Sequence, residues 1–252
     1  MTEPITPFPP HPIERGLDFP APLEVHIWSV RLDPPAEQVE RLGQCLAPDE
    51  WARAQRFRFD RHRRQYVVGR GALRTLLAAY RGTRPDLVRF TYGPRGKPFL
   101  DGEAGPEALF FNLSNSDELA LVGFACGGEI GVDVEFLKPM PDLEQISERF
   151  FSLSEREVLR NLPADQKHEA FFNCWTRKEA YLKAVGEGLA APLDSFDVTL
   201  APGEPPRMLT LEGDARRAAR WFYHHLRPAT DYIGAVAILD GPWRIATRSF
   251  VG

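Results

Sequence analysis

Residues 129–136 read EIGVDVEF, and in them two carboxylates, Asp133 and Glu135, alternate with Ile130, Val132, Val134 and Phe136. Alternate side chains of a strand share a face, so the pattern predicts a strand buried on its apolar side with Gly131, Asp133 and Glu135 on the other. The two acids then stand roughly 7 Å apart along the backbone, close enough to converge on one cation and to repel each other without it. A third acid, Glu179, lies in FFNCWTRKEAYLKAVGEGL (171–189), where Phe171, Trp175, Leu182 and Val185 form an apolar stripe at helical spacing. On that helix Glu179 falls about 40° from Trp175, Lys183 about 80° on the same side and Lys178 about 60° on the other, so three charges lie on the apolar arc. Asn173, Arg177, Ala180 and Ala184 take the opposite arc, and Gly186 and Gly188 supply a helix stop. Taken alone, Glu179 and Lys183 make an ordinary i,i+4 pair. Taken with the strand, three carboxylates in one cleft make an all-oxygen site suited to Mg²⁺ or Mn²⁺.

Two polar stretches fit phosphate or a plain turn equally well. Ser114-Asn115-Ser116 ends the run FFNLSNS with hydroxyls, an amide and backbone N–H groups, and Arg95 and Lys97 sit on the glycine- and proline-stiffened loop YGPRGKPFL. Between residues 51 and 90 eleven arginines face only Asp60 and Asp86, although the chain as a whole carries a net charge of −4. This basic block calls for an anion. It has no recognisable nucleic-acid motif and no regularly interleaved aromatics, which leaves a phosphate-rich small ligand or a solvated helix face.

The elements that must position these groups recur. The first half predicts a strand at 24–30, helices at 35–46 and 48–57, a long helix at 60–80, and strands at 88–92, 109–113 and 119–125. The second half repeats the order: strand 129–136, helices 142–151 and 154–162, a long helix 165–185, and strands 196–200, 221–226 and 232–239. The displacement is about 106 residues. Gly127-Gly128 is the expected hairpin join between the halves. Moved back by one repeat, Asp133, Glu135 and Glu179 meet Ile27 or Trp28, Ser29 or Val30, and Leu73 or Arg74, none of them acidic. One half therefore supplies carboxylates and the other arginines, which predicts a single site between them.

The expected fold class is α/β (α+β), a pseudo-twofold duplication of two similar halves. A proline-rich tail (1–22), extended or poorly ordered, precedes a first half (23–127) and a second half (128–252). With 252 residues, 43% of them hydrophobic, the chain can bury a substantial core. Cys45, Cys126 and Cys174 have neither disulfide-framework nor zinc-knuckle spacing, and no apolar run is long enough to span a bilayer. A cytoplasmic protein with no membrane and no nucleic-acid partner is expected.

In their order and spacing GKP (96–98), FNLSNS (111–116), GVDVE (131–135), WTRKEAYLKAVGEGL (175–189) and PLDSFDV (192–198) resemble the Sfp-type 4'-phosphopantetheinyl transferases of the W/KEA subgroup. The lone G-x-D-x-E is common, whereas the ordered set is specific, and it covers about Pro48 to Val198. The resemblance implies the phosphopantetheinyl transferase fold and transfer of the phosphopantetheine arm of coenzyme A to a serine of an acyl or peptidyl carrier protein, releasing adenosine 3',5'-bisphosphate. It implies that Asp133, Glu135 and Glu179 hold Mg²⁺, that Asp133, Glu179 and Lys183 are catalytic, with Glu179 helping to deprotonate the serine and Lys183 offsetting charge on the pyrophosphate. Arg53, Arg56, Lys97, Pro98, Asn112, Ser114, Asn115 and Lys183 match coenzyme A-binding positions. The chain departs from many relatives in having Asn115 where they have histidine, and Glu50 and Tyr66 where some have lysine and threonine. A monomer is expected, since duplication supplies internally what a homodimer supplies by symmetry. An acidic carrier would be steered by exposed arginines and dock near Phe150 and Phe151. A magnesium-dependent nucleotide phosphohydrolase, or a non-catalytic module binding coenzyme A or nucleic acid, are the competing readings.

Overall fold

The computed structural model describes residues 8–13, 16–103, 105, 107–186 and 192–251. The first half runs β1 (Pro10–Pro12), β2 (Glu24–Arg31), α1 (Ala36–Gly43), α2 (Pro48–Ala54), α3 (Asp60–Arg81), β3 (Phe90–Tyr92), β4 (Pro98–Leu100), β5 (Leu109–Ser116) and β6 (Leu119–Cys126). The second runs β7 (Ile130–Phe136), α4 (Leu143–Phe150), α5 (Leu153–Asn161), α6 (Ala164–Val185), β8 (Phe196–Val198), β9 (Met208–Leu211), α7 (Ala215–Ala218), β10 (Trp221–Leu226), β11 (Tyr232–Leu239) and β12 (Arg244–Val251).

The repeat is visible in the pairing. β2, β6 and β5 lie side by side in that order, and β7, β11 and β10 do the same, all antiparallel. α3 and α6 each have 22 residues and each ends on a left-handed glycine, Gly82 or Gly186. Four layers result. Leu73, Leu76 and Leu77 of α3 pack on Trp28, Val30, Phe111 and Phe124 of the first sheet. The other face of that sheet, with Val25, Ile27 and Leu121, meets Ile130, Val132, Val134 and Val236 of the second. Phe171, Phe172 and Leu182 of α6 then cover Ile233, Ala235 and Ala237 on the outer face. The alternation in residues 129–136 therefore sends its apolar side between the sheets and its acids toward α6. At Gly131 a Cβ would come within 1.9 Å of the Ala180 carbonyl oxygen, so only glycine lets α6 lie this close to β7.

The structure departs from the expectations at several points. Gly127-Gly128 does not close a hairpin: β7 pairs with β11 in the second sheet, because its apolar face has to be buried between the layers rather than beside β6. β12 leaves the second half as drawn and inserts parallel to β2, with β1 parallel on its far side, so part of the tail is a strand of the first sheet. RIATRSFV has no clean alternation because most of its side chains are half-buried, which hid the strand. On the arc of α6 opposite Trp175, Asn173, Arg177, Ala180 and Ala184 are also buried, and the helix is embedded on most sides. Gly188 and residues 1–7 of the tail lie outside the described residues. Among the described residues all three cysteines are free and no helix is long and apolar enough to cross a membrane.

Candidate functional site

β7 and α6 bring Asp133, Glu135, Glu179 and Lys183 together, with Ser114 and Ser116 of β5 reaching in from the first half. The seam between β5 and β7 is bridged by side chains instead of a backbone ladder: Asn112 Oδ1 accepts from Val132 N–H at 2.9 Å and Ser116 Oγ from Phe136 N–H at 3.1 Å. Asp133 is 3% exposed. Its Oδ1 accepts from Ser114 Oγ at 2.8 Å and from Lys183 Nζ at 2.6 Å, and its buried Oδ2 has no hydrogen-bond partner among the described residues. Glu135 Oε2 accepts from Ser116 Oγ at 2.7 Å, while burial, and then the charge of Asp133, raise its pKa. Glu179 has a buried, unpartnered Oε1. Burial first, then Asp133, push its carboxyl up to about 7, against the opposing pull of Lys183.

Among the described residues no three His, Cys, Asp or Glu side chains are arranged to hold a metal ion as they stand. The donor set nonetheless fits a hard divalent cation, since oxygens of Asp133 and Glu179 are buried without partners and the acids repel one another. Lys183, 27% exposed at its side chain, is the one positive charge paired with Asp133 among the described residues.

The residues at positions matched to coenzyme A binding divide. Arg53 of α2 and Arg56 in the turn that follows it lie on a cleft of about 630 Å³ that adjoins a second of about 390 Å³, the two sharing Arg53, Phe57, Tyr66, Arg70 and Pro98. Asn112 and Asn115 line the second. Six of the eleven arginines of the basic block are already paired: Arg70 and Arg74 with buried Glu50, Arg61 with Asp117, Arg63 with Asp60, Arg81 with Glu103 and Arg84 with Asp86. Arg53 and Arg56 are exposed and have no carboxylate partner among the described residues. Ser114 faces the acid cluster rather than this cleft. Lys97 does not line it either: its Nζ donates to Ala184 O and Glu129 Oε2. A further cavity, about 1070 Å³, lies elsewhere, among Phe19, Arg81, Glu129, Val185, Trp221 and Trp243, and none of the four charged cluster residues lines it.

A 4'-phosphopantetheinyl transferase superfamily model matches residues 129–237, and a model of the 4'-phosphopantetheinyl transferase N-terminal region matches residues 30–126. The chain is 43% identical over 221 residues to the 4'-phosphopantetheinyl transferase HetI of Nostoc sp., covering 88% of this chain and 90% of that one. This chain belongs to the 4'-phosphopantetheinyl transferase superfamily. It is also 31% identical to the 4'-phosphopantetheinyl transferase Sfp of Bacillus subtilis, over 69% of this chain and 76% of that protein. A slighter likeness, TM-score 0.36 at 21% identity, links 45% of the chain to 64% of the Thermotoga maritima holo-[acyl-carrier-protein] synthase. By its sequence kinship with these transferases the mixed α/β fold is that of a phosphopantetheinyl transferase, and the protein is an enzyme of that class.

Two features of this transferase escaped the sequence reading. Lys178 sits on the same arc as Glu179, yet it is 1% exposed, donates to Leu193 O at 2.7 Å and Phe196 O at 2.6 Å, and pairs with Glu155 at 2.8 Å. The signal for its partner was the capping box Ser152–Glu155. Phe151, expected at a docking surface, is fully buried and stacked on Phe171, because it closes the core beneath α4 and α6. Phe150 is only half-buried, edge-on to Trp175, and the prominent apolar group beside it is Leu153, 80% exposed.

Proposed function

We propose that this phosphopantetheinyl transferase moves the phosphopantetheine arm of coenzyme A to a serine hydroxyl of an acyl or peptidyl carrier protein, releasing adenosine 3',5'-bisphosphate. The observation that carries the reading is Glu179: a half-buried carboxyl group raised to about 7, with one buried, unpartnered oxygen, one helical turn from Lys183. A carboxylate with a free oxygen in that position is placed to take a hydroxyl proton. The serine oxygen forms a bond to the phosphorus that bears pantetheine, the bond from that phosphorus to the bridging oxygen breaks, and the electron pair leaves with adenosine bisphosphate. The serine proton passes to Glu179, directly or through water.

Lys183 offsets the charge developing on the pyrophosphate. Asp133, Glu135 and Glu179 would hold Mg²⁺, or Mn²⁺, which when bound supplies Lewis-acid polarisation of the phosphoryl group and neutralises the leaving charge. Arg53 and Arg56 hold the ribose phosphate, and Pro98, Asn112 and Asn115 border the nucleotide. Ser114 serves from the other side, by orienting Asp133 and Lys183. An acidic carrier docks beside Phe150 and Leu153, and the enzyme works as a cytoplasmic monomer. Mass spectrometry of a carrier domain incubated with the enzyme, coenzyme A and Mg²⁺ tests this: the expected result is the added mass of phosphopantetheine on one serine. Release of phosphate or adenosine bisphosphate with no gain in carrier mass would point to hydrolysis instead.

A further inference from the structure

We propose that Lys97 is a positioning residue, fastening the last turn of α6 to the first half so that Glu179 and Lys183 stand where the reaction needs them, and does not itself hold the nucleotide. The proposal rests on the transfer reading given above. It starts from the loop. Gly93 N–H donates to Lys97 O at 2.9 Å, Gly96 N–H to Gly93 O at 2.9 Å, and Gly96 takes φ +82, a tight turn that presents the Lys97 side chain on one side. Gly96 and Pro98 line the arginine-bearing cleft, but Lys97 does not.

Its ammonium is instead enclosed, with the side chain 9% exposed, donating to Ala184 O at 2.6 Å and to Glu129 Oε2 at 2.8 Å. The Ala184 carbonyl is one of the last four of α6, which have no partner within the helix and carry its negative end. Glu129 immediately precedes β7, the strand that bears Asp133 and Glu135. One cation thus joins three segments: the loop before β4, the start of the strand with two acids, and the end of the helix with the third. Gly186 completes the fit. Its φ of +73 ends α6, and a Cβ there would stand 3.3 Å from Lys97 Cδ. Burial lowers the Lys97 pKa, and Glu129, 47% exposed at its side chain, opposes that.

A shift of about 1 Å in a catalytic group can cost about a hundredfold in rate, so the latch acts on turnover and not on nucleotide affinity. The test uses the full chain, with steady-state transfer from coenzyme A to a carrier domain and hydrogen exchange of the last turn of α6. Lys97→Met is expected to lower kcat by about tenfold to a hundredfold with KM for coenzyme A held within about twofold. Lys97→Arg keeps both bonds and recovers most of kcat. Glu129→Gln lowers kcat less, and combining it with Lys97→Met adds nothing further, because both break one connection. Exchange in the last turn accelerates in Lys97→Met and in Glu129→Gln. A rise in KM with kcat unchanged, together with unaltered exchange, overturns the proposal and makes Lys97 a nucleotide ligand. Should the wild-type chain transfer nothing, the reading of function fails by itself, and the exchange data still decide whether the latch exists.

Discussion

Helix α6 carries two lysine–carboxylate arrangements five residues apart, and they are opposites. At Lys178 every demand is met: the ammonium has three oxygen partners, and Glu155 also accepts from Ser152 N–H and Val198 N–H, with both side chains 1% exposed. At Lys183 the ledger of hydrogen bonds is left open: three acids face one ammonium, and Asp133 Oδ2 and Glu179 Oε1 have no partner among the described residues. A closed arrangement of buried charge holds segments together, here α6, α5 and the turn before β8. An open one retains the cost of burying charge without the compensation, and such a cost persists where a ligand completes the set.

The largest difference should appear when each arrangement loses one member. Asp133→Ala or Glu179→Ala should lower carrier modification by at least about a hundredfold, with the melting temperature unchanged or raised, since a mutually repelling buried acid is gone. Lys178→Met should do the reverse, costing about 3 to 5 kcal/mol in denaturant unfolding by leaving Glu155 buried without its cation, while the folded fraction keeps its turnover. Adding Glu155→Gln should recover part of that loss. If Asp133→Ala proves as destabilising as Lys178→Met, the open cluster is structural and the contrast collapses.

Sequence and structure meet on the acids and part on the lysines. The alternation around Asp133 and the angular position of Glu179 were legible because strand and helix periods alone dictate which face a side chain takes. The repeat was legible too, since both long helices recur at a constant displacement and both end on glycine. What periodicity does not carry is the distant partner. Lys178 and Lys183 share an arc, and only residues far along the chain, Glu155 and Phe196 for one, Ser114 and Asp133 for the other, separate bolt from site. The same limit applies to Lys97, whose partners Glu129 and Ala184 lie in the other half, and to β12, whose mixed pattern has meaning only beside β2.

The open arrangement also makes a pH prediction. In the folded protein Glu179 titrates near 7, above its ordinary 4.5. A carboxyl with a raised folded pKa is proton-rich in the native state, so its ionisation costs stability above about pH 7 and nothing below the unfolded value. Glu179→Gln should therefore raise the melting temperature of the metal-free protein at about pH 8 and leave it unchanged at about pH 4. Adding Mg²⁺ at the higher pH should raise it in the wild type and less in the variant. Equal effects of the substitution at both pH values would mean that Glu179 is not held in the strained state described.

The smallest expected effect sharpens the contrast on the other side of the cleft, where the basic block also divides into closed and open members. Arg84 is exposed and paired with Asp86, whereas Arg53 and Arg56 have no carboxylate partner among the described residues. Arg53→Ala and Arg56→Ala should each raise KM for coenzyme A by about fivefold with kcat unchanged, as expected of exposed charges meeting a phosphate. The effect should shrink at about 1 M salt, where the screening length falls to about 3 Å. Arg84→Ala should leave KM where it was, because its charge is already answered by Asp86. An equal rise in all three variants would show that the block attracts the nucleotide by total charge, and the distinction between paired and unpaired cations would then matter on α6 but not in the basic block.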